Sequence, residues 1–264
     1  MMKHPHSESC SWMFDESAPA RIALVCVAKD EDDTIGEWVS YNKKLGFTKI
    51  FMYENDWSCP VSDPILVKAR INGRHKQMES YAHWIARHKR RFDFVCFLDC
   101  DEFIVLKKHG SMQDFISEYG NPYGIAMNWV MFGSGGQLSP AQDRDSLLKR
   151  FIHRSKRVNQ HTKVVLGTRT LHFMASPHHA NKYTLDTNRK KVKGPFNPGG
   201  PIDVVQVNHY YHKSREEWER RVQRGQADHT RRTMRDWNRC KNHHLDQVDT
   251  TARDWFYGTK AGGE

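Results

Sequence analysis

Three carboxylates follow an apolar run near the middle of the chain. In the stretch VCFLDCDEFIV, residues 95–105, the run ends at Leu98 and is followed by Asp99, Asp101 and Glu102. Carboxylates held close together repel one another, so folding alone gives no reason to gather them. A divalent cation would offset that repulsion, and carboxylate oxygens suit Mg²⁺ or Mn²⁺. These acids are therefore the first candidates for chemistry.

The spacing Asp-x-Asp is weak evidence by itself, because the chain contains it three times: at residues 30–32, 99–101 and 143–145. Only the middle copy follows the pattern of a buried strand, Phe92 to Leu98. In an extended chain residues i and i+2 share a side, so Asp99 and Asp101 are predicted to converge. Open α/β sheets bind ligands at that end of a parallel strand. A solvated acidic turn is the alternative, and the triplet alone does not decide.

The elements that would position these acids alternate between strand and helix. Apolar runs predict strands at Arg21–Ala28, Lys49–Tyr53, Ile65–Arg70 and Phe92–Leu98. Between them, near-helical spacing predicts one helix over Ile35 to Leu45 and another carrying Met78 to Ile85. This alternation predicts a parallel, doubly wound sheet in the first half of the chain.

The second half is mixed. We expect strands near Gly124–Phe132, Lys163–Leu166 and Asp203–Val207, and a final helix that begins with a Ser214–Glu217 capping box. The expected organisation is a polar tail (1–20), one domain (21–227) with lobes at 21–110 and 111–227, and a basic helical extension (228–264).

Composition limits the function classes without selecting one. The chain has 264 residues, a net charge of +10 and a pI near 9.3. Such a surface suits nucleic acid, anionic membrane or phosphate-bearing small molecules. The six cysteines show no paired spacing, which favours a reducing compartment. The chain shows no signal peptide and no apolar run of membrane-spanning length, so we expect a soluble, cytoplasmic protein.

Four stretches occur together in an order that resembles a known family: VAKDEDDTIGEWVSYNKKLGF, IFMYENDWS, FLDCDEF and NHYYHKSREEWERRVQRG. They resemble the GT-A glycosyltransferases of family 92 and the related family-2-like group, as does NWVMFGSGG. The resemblance runs from about Arg21 to Ala227 and is least evident over Gln137–Lys193. It implies a Rossmann-like α/β fold, a mostly parallel mixed sheet flanked by helices, with a nucleotide-binding lobe and an acceptor lobe.

The resemblance also implies a Mn²⁺ or Mg²⁺ site. The candidate metal residues are Asp99, Asp101 and His209: Asp101 would bind the metal directly, Asp99 would hold the ribose or a metal-bound water, and His209 would supply a further ligand. His209 and Asp101 should then face each other within ~5 Å. A hydrogen-bonded core histidine is the alternative for His209, with His178 or His179 the next candidates, while substitution of His212 should be nearly silent.

Donor-binding residues are expected just past the strand ends. By resemblance they are Lys29, Glu31, Asn55, Asp56, Arg74, Gln77, Asp99, Cys100, Asp101 and Lys213, with Lys213 as a diphosphate clamp. Surface exposure is the alternative for Arg74, Gln77 and Lys213. Inverting transfer also needs a carboxylate base. Asp145, with Asp143 beside it, occurs at about the right stage of the chain, and either acid could instead cap a helix.

The resulting hypothesis is a metal-dependent glycosyltransferase. It would move a hexose or deoxyhexose from a UDP-linked donor to a glycan or other hydroxyl acceptor, with inversion. Two other classes stay open: a metal-dependent nucleic-acid-processing or nucleic-acid-binding protein, which clustered acids and the basic tract Lys213–Lys241 would suit, and a non-catalytic binding module. No specific nucleic-acid partner is expected under the leading hypothesis.

Overall fold

A computed structural model of the chain describes residues 18–120, 123–140, 143–224, 233–240 and 247–258. The strands are β1 Ile22–Ala28, β2 Lys49–Asn55, β3 Leu66–Ile71, β4 Phe94–Phe97, β5 Glu102–Leu106, β6 Ile125–Met131, β7 His153–Arg154, β8 Thr162–Gly167, β9 Met174–Ser176, β10 His179–Ala180, β11 Thr184–Leu185, β12 Lys191–Val192, β13 Val205–His209 and β14 Gln247–Val248. The helices are α1 Ile35–Leu45, α2 Gln77–His88, α3 Met112–Tyr119, α4 Leu147–Arg150, α5 Arg215–Arg224, α6 Met234–Cys240 and α7 Thr251–Tyr257.

The main sheet is mixed, with its parallel part in the first half of the chain. Its strands run in the order β12-β11-β6-β8-β4-β1-β2-β3, and β13 pairs with both β5 and β6. Strand β1 is parallel to β2 and β4, and β2 is parallel to β3, whereas β8 is antiparallel to both β4 and β6. This confirms the predicted Rossmann-like α/β fold with a mixed, mostly parallel sheet flanked by helices.

Two apolar layers cover the central strands. On one face, α1 buries Trp38 and Tyr41, and on the other α2 buries Tyr81 and Trp84. The Trp38 indole donates to the Glu102 carbonyl (3.0 Å) and the Tyr41 hydroxyl donates to the Ile104 carbonyl (2.7 Å). These two hydrogen bonds tie α1 to β5, the strand that begins directly after Asp101.

Two sequence-based details were wrong. Strand β4 ends at Phe97, so residues 99–101 lie in a turn closed by a hydrogen bond from the Glu102 amide to the Asp99 carbonyl (3.1 Å). The premise that Asp99 and Asp101 share one side of an extended strand therefore fails. Strand β13 extends to His209, two residues beyond the predicted end, because its last residues pair with β5 and β6.

The end of the chain packs back onto the domain. Of the predicted extension 228–264, the structure describes α6, the short strand β14 and α7, while most of the tail 1–20 lies outside the described residues. Strand β14 pairs with β7, and the Tyr257 hydroxyl donates to Glu37 on α1 (2.8 Å). In the part of the chain that the structure describes, no helix combines the length and the apolar character needed to cross a membrane.

Candidate active site

A cavity of about 1080 Å³ opens where β1, β2 and β4 end. One side is formed by residues that follow the parallel strands: Lys29, Glu31, Asn55, Asp56, Gly73, Arg74, Asp99, Cys100 and Asp101. The other side carries Trp129, Met131, Asn159, His161, Pro177, His178, His209 and Tyr211, and α5 contributes Arg221 and Arg224. The cavity is therefore at the ligand-binding edge expected of an open α/β sheet.

Strand register explains why His209 reaches Asp101. Strand β5 starts at Glu102, and its antiparallel pairing with β13 sets His209 opposite Glu102. The Tyr210 amide donates to the Asp101 carbonyl (2.9 Å), which fixes the backbone at that point. His209 Nε2 consequently lies 3.7 Å from Asp101 Oδ1. The predicted proximity is confirmed, although the two residues are about a hundred positions apart in sequence.

The Asp101 carboxylate is buried and held by an arginine. Arg221 Nη2 donates to Asp101 Oδ2 at 2.7 Å, and both side chains are less than a tenth exposed. Burial would raise the pKa of Asp101, but Arg221 and His209 outweigh it and hold the pKa well below its usual range. Asp101 is therefore ionised, and its second oxygen, Oδ1, faces His209.

The Asp99 carboxylate accepts hydrogen bonds from one neutral and one cationic side chain outside its turn. Gln77 Nε2 donates to Asp99 Oδ1 (2.8 Å) and Lys163 Nζ donates to Asp99 Oδ2 (3.0 Å). About a third of the Asp99 side chain stays exposed. Because each carboxylate oxygen can accept more than one hydrogen bond, Asp99 can still receive a hydroxyl of a ligand.

A fully buried lysine, Lys163, contacts both Asp99 and Glu102 at this turn. Lys163 Nζ lies 3.1 Å from Glu102 Oε2, and neither side chain is exposed. Burial would lower the pKa of Lys163, but Asp99 and Glu102 raise it well above its usual range, so the ammonium stays charged. The Glu102 carboxylate also accepts the Asp99 amide (3.0 Å). The negative charges of Asp99, Asp101 and Glu102 are thus partly compensated by Lys163 and Arg221.

Two side chains at the cavity, Asp101 and His209, could ligate a divalent cation. Among the described residues, no group of three or more His, Cys, Asp and Glu side chains is arranged to hold a metal. Asp99 does not join Asp101 and His209, because Gln77 and Lys163 hold its oxygens. The pair Asp101 Oδ1 and His209 Nε2 does fit, since 3.7 Å suits two ligands of one ion with bonds of ~2.0–2.2 Å. Such an ion would take its other ligands from phosphate and water.

Six further residues predicted to bind the donor line the cavity: Lys29, Asn55, Asp56, Arg74, Gln77 and Cys100. Asn55 is buried, and its Oδ1 has no hydrogen-bond partner among the described residues. Lys29 Nζ lies 3.6 Å from the exposed Asp56, and Arg74 is exposed at the rim. Cys100 and Gln77 also line the cavity, and both are buried.

Glu31 and Lys213 form a buried ion pair. Lys213 Nζ lies 2.8 Å from Glu31 Oε2, and Arg224 Nη2 lies 2.9 Å from Glu31 Oε1. Glu31 and Arg224 line the cavity, but Lys213 does not, since it faces a smaller neighbouring cavity. Lys213 is therefore placed to orient Glu31 and not, in this structure, to clamp a ligand in the main cavity.

Asp145 does not line either cavity. It is exposed, as is Asp143, whose Oδ1 lies 3.1 Å from Lys149 Nζ. Ser146, not either aspartate, caps α4, because its Oγ accepts the Lys149 amide. The predicted base is thus not brought to the other site residues.

The other histidines separate into two groups. His178 lines the cavity, whereas His179 and His212 do not. His212 is buried and stacks on Trp218, with ring centroids 5.7 Å apart. Removing a buried, stacked ring leaves a cavity, so substitution of His212 should cost stability, while its silence in metal-dependent turnover stays a prediction.

Four residues that line or support the cavity were not predicted from the sequence: Trp129, His161, Lys163 and Arg221. A signal existed for Lys163, because a lysine inside the apolar run of β8 is unusual unless it is paired. Trp129 lies near the end of β6, and His161 precedes β8. Arg221 occupies one turn of an evidently amphipathic helix, where nothing local distinguishes it from Arg220.

The sequence profile of glycosyltransferase family 92 matches residues 69–245, about two thirds of the chain. The chain belongs to glycosyltransferase family 92. The matched segment contains Asp99, Asp101, Lys163, His209 and Arg221, while the part of the site that follows β1 and β2 precedes it.

One family 92 protein and one solved structure show distant similarity to this chain. A glycosyltransferase family 92 protein of Ricinus communis is 26% identical over 112 residues, which cover 39% of this chain and 20% of that protein. The chain thus matches about a fifth of that relative's length. A solved Mycobacterium tuberculosis H37Rv protein in complex with manganese has 10% identity and a TM-score of 0.32, covering 42% of this chain and 66% of that one.

Proposed function

We propose that this chain is a metal-dependent glycosyltransferase that uses a nucleotide sugar, with a UDP-linked hexose or deoxyhexose as donor. The acceptor would be a hydroxyl of a glycan or glycoconjugate, and transfer would proceed with inversion. The observation that carries the proposal is the pair Asp101 Oδ1 and His209 Nε2, 3.7 Å apart in a cavity at the strand ends of a family 92 chain.

The pair would hold Mn²⁺ or Mg²⁺ together with the donor. A divalent cation on the diphosphate supplies Lewis-acid stabilisation of the charge that builds on the leaving group. Carboxylate and phosphate oxygens suit either ion, and an imidazole ligand favours Mn²⁺. Arg221 would act by holding Oδ2 of Asp101, so that Oδ1 keeps its orientation toward His209.

Two groups of side chains would bind the rest of the donor. Asn55, Asp56, Gln77 and Cys100 line the cavity and would contact the nucleoside. The buried oxygen of Asn55 would accept a hydrogen bond from it. Lys29, Arg74 and Arg224 supply positive charge for the diphosphate. Asp99, held by Gln77 and Lys163, would accept a hydroxyl of the ribose or of the transferred sugar.

Donor hydrolysis tests the proposal without knowledge of the acceptor. The full chain is incubated with UDP-, GDP- and dTDP-linked sugars, with Mn²⁺ or with chelator, and release of the nucleoside diphosphate is measured. We expect slow, metal-dependent release from a UDP-sugar, and a higher melting temperature with the same donor. The proposal fails if no donor is hydrolysed and none raises the melting temperature.

A further inference from the structure

Two histidines that line the cavity lie beside one tryptophan, Trp129. His161 and His178 both line the cavity and both pack on Trp129, with ring centroids 5.1 Å and 4.9 Å from the indole. His209 packs on the same indole at 4.2 Å. The wall formed by His161 and His178 is therefore next to the Asp101–His209 pair.

Hydrogen bonds to the ring Nδ1 atoms fix the tautomers. His178 Nδ1 lies 3.0 Å from the Thr162 carbonyl oxygen, which can only accept, so Nδ1 carries the proton. His161 Nδ1 lies 2.9 Å from Asn159 Oδ1. That atom also accepts the His161 amide at 2.9 Å, which identifies it as the oxygen. In both neutral rings Nε2 is therefore an unprotonated hydrogen-bond acceptor.

Both Nε2 atoms are open to the cavity. Neither makes a hydrogen bond to a described residue, and neither is shielded from solvent. Burial lowers the pKa of His178 to about 3, so this ring is neutral over the whole neutral range. Two hydrogen-bond acceptors on one cavity wall select a ligand that brings hydrogen-bond donors, such as neutral hydroxyls, and disfavour phosphate or carboxylate oxygens, which only accept.

We propose that His161 and His178 form a hydroxyl-binding subsite for the sugar that accepts the transferred residue. This inference rests on the proposed function and adds the chemical class of the acceptor group: neutral, hydroxyl-bearing and bound through donated hydrogen bonds. The subsite lies beside the metal-binding pair, because His161, His178 and His209 pack on the same Trp129 indole, so an acceptor bound there would be next to the donor.

The test measures binding of simple sugars to the full chain in the presence of UDP. Probes are methyl glycosides of glucose, galactose, mannose and N-acetylglucosamine, with methyl glucuronide as the anionic comparison, followed by saturation-transfer NMR. We expect at least one neutral glycoside to bind and methyl glucuronide to bind more weakly. His178→Phe and His161→Phe should each weaken the neutral glycoside about fivefold to tenfold, the effect of losing one hydrogen bond.

The adjacent histidine provides a matched control. His179 is half-buried, bonds Ser176 through Nδ1 (2.7 Å) and does not line the cavity, so His179→Phe should leave glycoside binding unchanged. His178→Gln, whose amide oxygen can accept, should restore part of the affinity if His178→Phe melts early. The inference is overturned if no neutral glycoside binds, if both cavity variants bind it normally, or if His179→Phe loses as much. UDP affinity, measured separately, reports on the proposed function instead.

Discussion

Each acid that lines the cavity lies close to a cation. Glu31 contacts Lys213, Asp56 lies near Lys29, Asp99 contacts Lys163 and Asp101 contacts Arg221. Burying an unpaired charge is costly, and these pairs reduce that cost where the site must still admit a charged ligand. At the scale of single residues, the site is a balanced network and not an acidic patch.

Glu31 is predicted to make stability depend on pH in the acid range. Burial raises its pKa, but Lys213, Arg224 and Arg221 outweigh burial and lower it from an ordinary 4.5 to about 2. A depressed carboxyl pKa contributes stability that is complete above pH 4.5 and is lost as pH falls toward 2. In urea unfolding from pH 7 to pH 2, wild type should lose about 3 kcal/mol more than Glu31→Gln across this window.

Glu219→Gln is the control for that series, because Glu219 is half-exposed and pairs with Arg215 on the surface of α5. A surface ion pair contributes little to stability, so this variant should stay close to wild type throughout the series. A Glu31→Gln difference that is also constant from pH 7 to pH 2 would contradict the assigned pKa.

Sequence predicted the acids and His209 but not their partners. The contacts Glu31–Lys213 and Asp101–Arg221 join residues 182 and 120 positions apart. Such pairs are determined by how strands and helices pack, so the residue pattern within a single element does not predict them. The same limit applies to Asp99 and Asp101, whose carboxylates were expected to converge and instead take different partners.

At the scale of elements, α5 brings Arg221 and Arg224 to the cavity. Its start was predicted correctly: the Ser214 amide donates to Glu217 Oε2 (2.9 Å), and the Glu217 amide donates to Ser214 Oγ (3.4 Å). Glu217 also pairs with Arg150 of α4, which anchors the helix laterally. By contrast, the two-residue strands β7, β10, β11, β12 and β14 were not predicted, because pairing rather than local pattern defines them.

Removing the cap of α5 should affect ligand binding as well as stability. Ser214→Ala should cost about 1 kcal/mol of unfolding free energy. It should also weaken UDP binding several-fold, because the helix positions Arg221 against Asp101. Unfolding in urea and calorimetric titration with UDP measure the two effects.

Ser111→Ala is the matched control. Ser111 caps α3 by accepting the Asp114 amide, and it does not line the cavity. This variant should lose similar stability and keep its UDP affinity. Equal UDP affinities for the two variants would show that α5 does not position the site.

At the scale of the whole molecule, the net charge of +10 invites comparison with nucleic-acid-binding proteins. Several of the cations are already paired with acids in the cavity: Lys163, Lys213, Arg221 and Arg224. The end of the chain also returns to the domain, where Lys44 Nζ donates to the Trp255 carbonyl (2.7 Å). Charge alone therefore does not define a nucleic-acid surface.

We expect only weak, unspecific binding to nucleic acid. Fluorescence anisotropy with duplex and single-stranded DNA should give a Kd of ~10⁻⁴–10⁻⁶ M at physiological salt. The affinity should fall steeply as the salt concentration rises and should not depend on the DNA sequence. Tight, sequence-selective binding at physiological salt would favour the nucleic-acid-processing alternative.

Calorimetric titration of UDP measures whether Asp101 and His209 bind a divalent cation together with a nucleoside diphosphate. Wild type should bind UDP at least tenfold more tightly with Mn²⁺ than with chelator. Asp101→Asn should remove that difference, while Asp203→Asn, which changes an exposed acid paired with Lys108, should keep it. Equal UDP affinity of the wild type with and without metal would contradict the account.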